Sequence, residues 1–300
     1  MKLRFAFVLA GALVASATTL LAQDGGDGKT YTYHSTKKSA INTNGQTAQE
    51  IEDLGEIDEK QGFQTLRDKL RFNVNARASY TTNALLEGHH TSSDLLFLPT
   101  IEAGFHTPLG EKFSFDLSTK LESVVYTKYD ERNFAGYSAM ATLDYRIAKD
   151  APRVYVSIEP YRYDSYDTGD LMTEAVGFTG GTDWGFAFNG GRTLGFMGYS
   201  FSYYLADPSE DSRVEHRAVI GLAYQLRSNL TAQLYYMYEF DNYTTFNRED
   251  YKNTVAGNLI YQFNEHIFGS LSTAFVDNVS DQQNAGYQSF SATLGLTMQF

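Results

Sequence analysis

Two adjacent histidines, His89 and His90, and the nearby Asp94 have side chains that could do chemistry. Imidazole and carboxylate groups bind zinc, and a His–Asp pair can also activate water, as an outer-rim protease would require. The stretch that carries them, however, shows no helix or strand period. Histidines in such a loop are more often simply solvated. We therefore expect no catalytic residue, no metal site and no cofactor.

A serine-based lipase is the other enzymatic possibility, with His216 as base and Ser200 or Ser202 as nucleophile. Side chains alternate between the two faces of a strand. His216 falls on an apolar face and the two serines fall on polar faces, so the pair cannot form. The glycine pairs at 180–181 and 190–191 lack a phosphate-loop pattern and a following helix. The sequence therefore predicts a protein that is not an enzyme.

Charged residues that alternate with apolar ones form the best-defined candidate site. If the apolar faces point outward, these charges point into an interior. They could form a mixed-charge constriction that selects solutes, or a network of paired charges that fills and stiffens a narrow barrel. The candidates are Arg71, Arg77, Glu102, Asp116, Lys120, Glu122, Asp144, Arg146, Glu159, Asp183, Arg217 and Glu239.

The elements that position these charges are strands, because apolar residues recur at every second position from Lys69 onward. The high content of tyrosine (22) and phenylalanine (21) also favours strands over helices. The pattern predicts about twelve strands, over 69–80, 94–106, 113–128, 134–146, 153–163, 179–188, 194–205, 213–226, 230–240, 253–263, 267–276 and 289–300. Pro99, Pro160 and the glycine-rich sixth strand fit this pattern least well.

The connections between these strands alternate between short and long. This alternation predicts an all-β, transmembrane, antiparallel up-and-down barrel with short periplasmic turns and long outer loops. A soluble barrel is the alternative, but about eight strands already enclose a filled interior. Aromatic residues such as Phe97 and Phe105 recur eight residues apart. This spacing is about 27 Å along a strand, or roughly 21 Å after tilt, close to the distance between aromatic girdles.

The N-terminal part of the chain differs from the rest. Residues 1–22 have a basic start at Lys2 and Arg4, a short apolar run and small residues before Gln23, which predicts a cleaved secretory signal peptide. Its removal takes the net charge from −12 to −14, which disfavours binding to nucleic acid. Residues 23–67 are polar and predict a largely disordered periplasmic arm or a plug, leaving 68–300 as the barrel.

The end of the chain alternates Leu294, Leu296, Met298 and Phe300 with small or polar residues. This stretch resembles the C-terminal signal of bacterial outer-membrane barrels, whose final aromatic residue is recognised by the barrel-assembly machinery. Residues 77–83 and 93–99 also resemble the β-barrel porins associated with surface-polysaccharide gene clusters. These resemblances imply a protein integral to the outer membrane of a Gram-negative-type bacterium.

The sequence as a whole predicts a porin-like channel for passive diffusion of small hydrophilic solutes, including saccharides if the porin resemblance holds. The alternatives are a plugged barrel that presents surface loops without transport and, third, an outer-membrane enzyme. Expected partners are outer-membrane lipid and lipopolysaccharide, the assembly machinery and the solute. A further hypothesis is that divalent ions bridge lipopolysaccharide phosphates to acidic outer loops carrying Asp164, Asp167, Asp170 and Glu174, and Asp207, Glu210 and Asp211.

Overall fold

The computed structural model describes residues 31–33, 54–56, 70–86, 92–148, 151–188, 192–245, 247–264, 266–282 and 285–300. Strands β1 (Tyr31–Tyr33) and β2 (Leu54–Glu56) form a small antiparallel pair. The other strands are β3 (Leu70–Thr81), β4 (Asp94–Pro108), β5 (Phe113–Tyr126), β6 (Phe134–Arg146), β7 (Arg153–Ser165), β8 (Leu171–Phe188), β9 (Thr193–Asp207), β10 (Arg213–Arg227), β11 (Leu230–Tyr243), β12 (Arg248–Asn264), β13 (Ile267–Ser280) and β14 (Tyr287–Gln299). Short 3-10 helices span Asp130–Arg132 and Ser209–Asp211.

Strands β3 to β14 form one closed barrel in which each strand pairs antiparallel with its neighbours in the sequence. The barrel closes where β14 pairs with β3, with Leu296 opposite Ala76. The last residue continues this pairing, because the amides of Phe72 and Phe300 each donate to the other's carbonyl oxygen, at 3.0 and 2.9 Å. The prediction of a twelve-stranded antiparallel barrel is therefore confirmed.

The two faces of the barrel wall differ sharply in exposure. Large apolar side chains at alternate positions point outward, and Phe97 and Leu234 are 47% and 61% exposed. The residues between them point inward and are mostly buried, as Ser202 and Glu239 show. A closed wall of paired strands with an apolar outer band is the form in which β-structure crosses a bilayer.

The barrel has two distinct ends. We call the end with the connections 109–112, 147–152, 189–192, 228–229 and 265–266 the turn end. The end with the connections 82–93, 127–133, 166–170, 208–212, 244–247 and 281–286 is called the loop end. The loop-end connections are the longer set, as predicted, although most of them are shorter than the sequence suggested.

Several predicted strand limits were wrong at the loop end. β8 begins at Leu171 rather than at 179, because Thr173 and Ala175 continue its inward face and glycines do not interrupt the pairing with β7. β12 begins at Arg248 rather than at 253, and β11 and β13 extend to Tyr243 and Ser280. Charged residues in these extensions pair across strands, which explains how polar segments continue the barrel.

Each of the two prolines within strands interrupts the backbone pairing on only one edge of its own strand. The pairing of β4 with β5 lapses at Leu98 and Pro99, whereas Pro99 still lies opposite Ala76 of β3. The pairing of β6 with β7 likewise lapses beside Pro160, which lies opposite Val176 of β8. Because proline has no backbone N–H, a gap on one edge accommodates it within a closed barrel.

Residues 1–22, most of residues 23–67 and the pair His89 and His90 lie outside the described residues, so the signal peptide and the polar arm stay predictions. Within the described part of the chain, no helix combines the length and the apolar character needed to cross a membrane.

Candidate functional site

Five ionisable residues lie on the inward face near the turn end, and we call them the turn-end cluster: His106, Asp116, Asp144, Arg153 and Asp183. They lie on the consecutive strands β4 to β8. The Nδ1 atom of His106 lies 2.8 Å from a carboxylate oxygen of Asp116, and Asp144 lies on the neighbouring strand β6. Arg153 donates to Asp144 at 2.8 Å and to Asp183 at 2.6 Å. The cluster therefore spans five strands of the wall.

Six charged residues near the loop end form a second group, the loop-end cluster: Arg213, Glu215, Arg217, Glu239, Asp241 and Lys252, on β10, β11 and β12. Arg217 is the central cation, because its Nη2 atom lies 2.6 Å from Glu215 and 2.7 Å from Glu239, the residue directly opposite. Lys252 pairs with Glu239 and lies 3.6 Å from Asp241. Arg213 lies 3.5 Å from Glu215 and 3.7 Å from Asp241.

The three carboxylates of the loop-end cluster lie within 4.8 Å of one another, a spacing that could hold a metal ion. Three cationic side chains already surround them, so the cluster is balanced in charge. All six residues are buried. Buried charges are tolerated when they are paired, and removing one partner leaves the other uncompensated. This cluster is therefore an ion-pair network rather than a metal site.

An apolar group covers the inward face of β4 to β9 near the loop end. We call it the aromatic wall: Leu96, Leu98, Val124, Tyr126, Phe134, Tyr161, Tyr163, Ala175 and Tyr204, with Ala84 above it. The rings of Phe134 and Tyr163 meet edge to face, with centroids 5.3 Å apart. A polar interior was predicted, and at this wall the prediction is wrong. The signal that was missed is that its leucines and tyrosines occupy the alternate strand positions that face inward.

The aromatic wall and the loop-end cluster meet at Arg213. Its guanidinium lies 4.3 Å from the centroid of the Tyr204 ring, a cation–π contact. Arg248 makes a similar contact with Tyr243 at 4.6 Å and pairs with Asp250. The loop-end half of the interior therefore presents aromatic rings on one side and paired charges on the other.

The structure brings together five of the predicted charged residues in the two clusters: Asp116, Asp144 and Asp183, and Arg217 and Glu239. Two more form a separate pair, since Lys120 lies 3.3 Å from Glu122. Arg146 lies directly opposite Arg153, at the turn end. The remaining candidates lie elsewhere on the inward face: Arg71, Arg77, Glu102 and Glu159.

Several cluster residues were missed by the sequence reasoning, although strand parity could have indicated some of them. His106, Arg153, Arg213 and Glu215 share the inward parity of candidates on their own strands. Asp241 and Lys252 were placed in a loop, because the strand extensions that carry them were not recognised.

The residues considered for enzymatic chemistry do not lie close to one another. Ser200 and Ser202 are buried on the inward face. His216 faces outward, where its Nδ1 atom lies 2.8 Å from the hydroxyl of Tyr199 and its ring packs against Phe201. Asp94 has a structural role, because its carboxylate accepts hydrogen bonds from the amides of Leu95 and Lys128.

The observed strand limits also change which of the predicted acidic residues lie in loops. Asp164 and Glu174 lie in β7 and β8 rather than in a loop, and both pair with Arg162. Asp207 ends β9. Three of the acidic residues in the hypothesis that divalent ions bridge these loops to lipopolysaccharide are therefore in strands and not in loops.

Comparison with known proteins shows which proteins have a similar architecture. A family described as "Putative beta-barrel porin 2" matches residues 205–300, from the end of β9 to the end of the chain. An outer membrane channel from Pseudomonas putida F1 superposes with a TM-score of 0.53 at 11% identity, covering 82% of this chain and 100% of that one. The chain has an outer-membrane β-barrel fold. The resemblance to outer-membrane barrels that the sequence indicated is confirmed.

Other solved barrels are similar at a lower level. The KdgM porin in complex with disordered oligogalacturonate has a TM-score of 0.46 at 9% identity, covering 76% of this chain and 99% of its own. The NanC porin has a TM-score of 0.45 at 12% identity, covering 75% and 98%. No curated protein matches the chain in sequence.

Proposed function

We propose that this outer-membrane barrel is a porin-like channel for passive diffusion of small hydrophilic solutes, with saccharides as one class. The observation that carries the proposal is a closed twelve-stranded barrel with its apolar residues outside and ionisable residues from at least eight strands inside. A wall of this kind surrounds a polar path across an apolar layer. The porin family match to residues 205–300 supports the same function.

The pairing of the inward charges supports weak rather than strong charge selection. In a mixed-charge constriction, Arg71, Arg77, Lys120 and Arg217 would attract anionic groups and the acids facing them would limit that attraction. Lys120 is paired with Glu122, and Arg217 with Glu215 and Glu239. Their fields are largely cancelled at short range, since opposite charges lie within 4 Å. Arg71 and Arg77 of β3 stay the positions at which the proposal places attraction of an anionic group.

Osmotic swelling of liposomes tests this function. Vesicles containing the full-length mature protein should swell in neutral sugars at rates that fall as the sugar grows from a pentose to a trisaccharide. Replacing Arg71 and Arg77 together by alanine should alter the relative rates for anionic and neutral sugars of equal size. Vesicles that swell no faster than protein-free vesicles, although the barrel is inserted, would contradict the proposal.

A plugged barrel without transport is the second candidate, and two observations favour it. Most inward side chains of the two clusters and the aromatic wall are buried. In addition, Cα atoms of β1 lie within 8 Å of Cα atoms of β8, which already pairs with β7 and β9 on both edges. Deleting residues 23–62 distinguishes the candidates, because removal of a plug must raise the swelling rate, whereas removal of a free arm leaves it unchanged.

Delivery to the outer membrane is part of the proposal. Signal cleavage would give a mature chain that begins at Gln23, and the terminal Leu294, Leu296, Met298 and Phe300 would direct assembly. N-terminal sequencing of protein isolated from outer-membrane fractions tests the cleavage. A chain that retains Met1 in that fraction would contradict it. No enzymatic activity is proposed.

A further inference from the structure

Inward side chains of β13, β14 and β3 are more accessible than most of those of β7 to β12. Most of them are small, polar and partly exposed to the barrel interior. We call six of them the polar lane: Ser270, Ser272, Thr293, Thr297, Asn73 and Asn75. They lie side by side around the wall, because Ser272 is opposite Thr293 and Thr297 is opposite Asn75.

The polar lane extends across most of the apolar band. In the pairing of β14 with β3, partly exposed pairs occur from Asn73 opposite Gln299 to Thr81 opposite Ser291. These two pairs are about 27 Å apart along the strands, a length comparable with the ~25 Å apolar band of an outer-membrane barrel. A solute that stays in contact with these strands therefore meets polar groups along most of its path.

Burial rather than residue type distinguishes the polar lane from the rest of the interior. Strands β7 to β12 also carry inward hydroxyl groups, but Ser202 and Thr254 are 0% and 2% exposed. The Ser202 hydroxyl is hydrogen-bonded to that of Thr179 at 2.9 Å. Aromatic rings cover this part of the wall, since a Cβ atom on Gly181 would stand 2.5 Å from the ring of Tyr155. A solute therefore reaches the hydroxyl groups of the lane and not these.

The chemistry of the lane matches that of a sugar. Hydroxyl and amide side chains both donate and accept hydrogen bonds, as sugar hydroxyl groups do. The hydroxyl of Thr293 is oriented by Ser79 at 2.8 Å and keeps capacity for further hydrogen bonds. The rings of Tyr161 and Tyr204 in the aromatic wall are only 4% and 2% exposed, so they offer no face on which a sugar could stack.

We propose that the polar lane binds saccharides through hydrogen bonds to their hydroxyl groups, and that sugars pass along β13, β14 and β3 rather than along the aromatic wall. The passage, but not the binding, rests on the channel function proposed above. The lane thus assigns sugar recognition to serine, threonine and asparagine side chains instead of to aromatic rings.

Cysteine labelling tests the lane, because the chain contains no cysteine of its own. Ser272→Cys and Thr293→Cys place a thiol in the lane, and Ser202→Cys and Thr254→Cys are matched controls at buried inward positions. Each full-length mature variant is inserted into liposomes and treated with a charged, water-soluble methanethiosulfonate, and its mass is followed. Lane cysteines should react about tenfold faster than the controls, since a thiol must be accessible to react. Equal rates, or no reaction in the lane, would overturn the proposal.

Protection by a sugar tests the binding itself. Maltotriose, an uncharged trisaccharide, should slow the labelling of Thr293→Cys several-fold, whereas glycine betaine at the same osmolality should not. Equal labelling rates with the two solutes would overturn the proposal. Folding of each variant is checked by its heat-dependent mobility on gels.

Neither readout requires conduction. Labelled and sugar-protected lane cysteines in a barrel that causes no vesicle swelling would support the lane and contradict the channel. A barrel that causes swelling while its lane cysteines stay unlabelled would overturn the lane and leave the channel function standing.

Discussion

The ring of Phe196 on β9 lies over Gly221 on β10, so closely that a Cβ atom on Gly221 would stand 2.2 Å from the ring. The same Cβ atom would stand 2.7 Å from that of Tyr235 on β11. Phe196, Tyr235 and Met237 form a buried group on the inward face. The absent side chain of Gly221 is therefore what allows an aromatic ring to lie flat against the wall instead of projecting inward.

Replacing Gly221 by alanine should destabilise the barrel by about 1–3 kcal/mol, because the ring and its neighbours must shift in a packed interior. Urea unfolding of protein refolded into lipid vesicles measures this, with Trp184, the single tryptophan, as the fluorescent reporter. Gly180→Ala is the control, since nothing lies within 4 Å of its would-be Cβ atom. Equal stability losses in the two variants would contradict the packing described here.

Neutralising Glu239 should be costly, because this residue pairs with both Arg217 and Lys252 in a buried site. Glu239→Gln leaves two buried cations undercompensated, and the expected loss in unfolding free energy is about 3–5 kcal/mol. Asp164→Asn is the control at the outer rim, where its partner Arg162 is 42% exposed, and there the loss should be about 0–1 kcal/mol. Similar losses in the two variants would show that the loop-end cluster is solvated rather than buried.

A charge on the outward face should be tolerated according to its depth in the bilayer. Ile220 is central on β10 and faces outward, and Ile220→Arg should cost about 2–4 kcal/mol in vesicles. Leu205 faces outward near the loop end of β9, and Leu205→Arg should cost about 0–1 kcal/mol. If both substitutions were neutral, the apolar face would not contact lipid.

The terminal Phe300 should matter more for assembly in the cell than for the folded barrel. Its side chain is 67% exposed, and its backbone pairs with that of Phe72. Its ring lies at the surface beside the rings of Phe72 and His266, with centroids 6.4 and 6.1 Å away. Phe300→Ala should lower the amount of barrel in outer-membrane fractions several-fold while changing stability in vesicles little. Phe290→Ala, another outward phenylalanine on β14, should leave the amount unchanged. Equal reductions would remove the assembly role of the last residue.

The period-two pattern was sufficient to predict the barrel and the direction of its faces. A strand such as β10 alternates outward Ile220 and Leu222 with inward Arg217 and Gly221, so one sequence window reveals both faces. The pattern failed at the start of β8 and β12, where the outward residues are few or polar. Strand limits there depend on pairing with neighbours, which a single window does not contain.

The partners of the inward charges could not be predicted from the sequence. The alternation of side chains along each strand places Asp116, Asp144 and Asp183 on the inward face. It does not say which residues of neighbouring strands lie opposite one another. The contact of Asp144 with Arg153 depends on the register of β6 with β7, which the connection 147–152 and the closure of the barrel fix together. The aromatic wall was missed for another reason: inward tyrosines such as Tyr161 and Tyr163 were not weighed as core residues.

Planar-bilayer recording tests the central claim most directly, which is that this barrel encloses a polar path across the membrane. The full-length mature protein should give discrete, ohmic conductance steps with weak charge selectivity. The chain that lacks residues 23–62 should give steps of the same size if that segment is a free arm. Bilayers that remain silent with both chains, although each barrel is shown to be inserted, would contradict the channel.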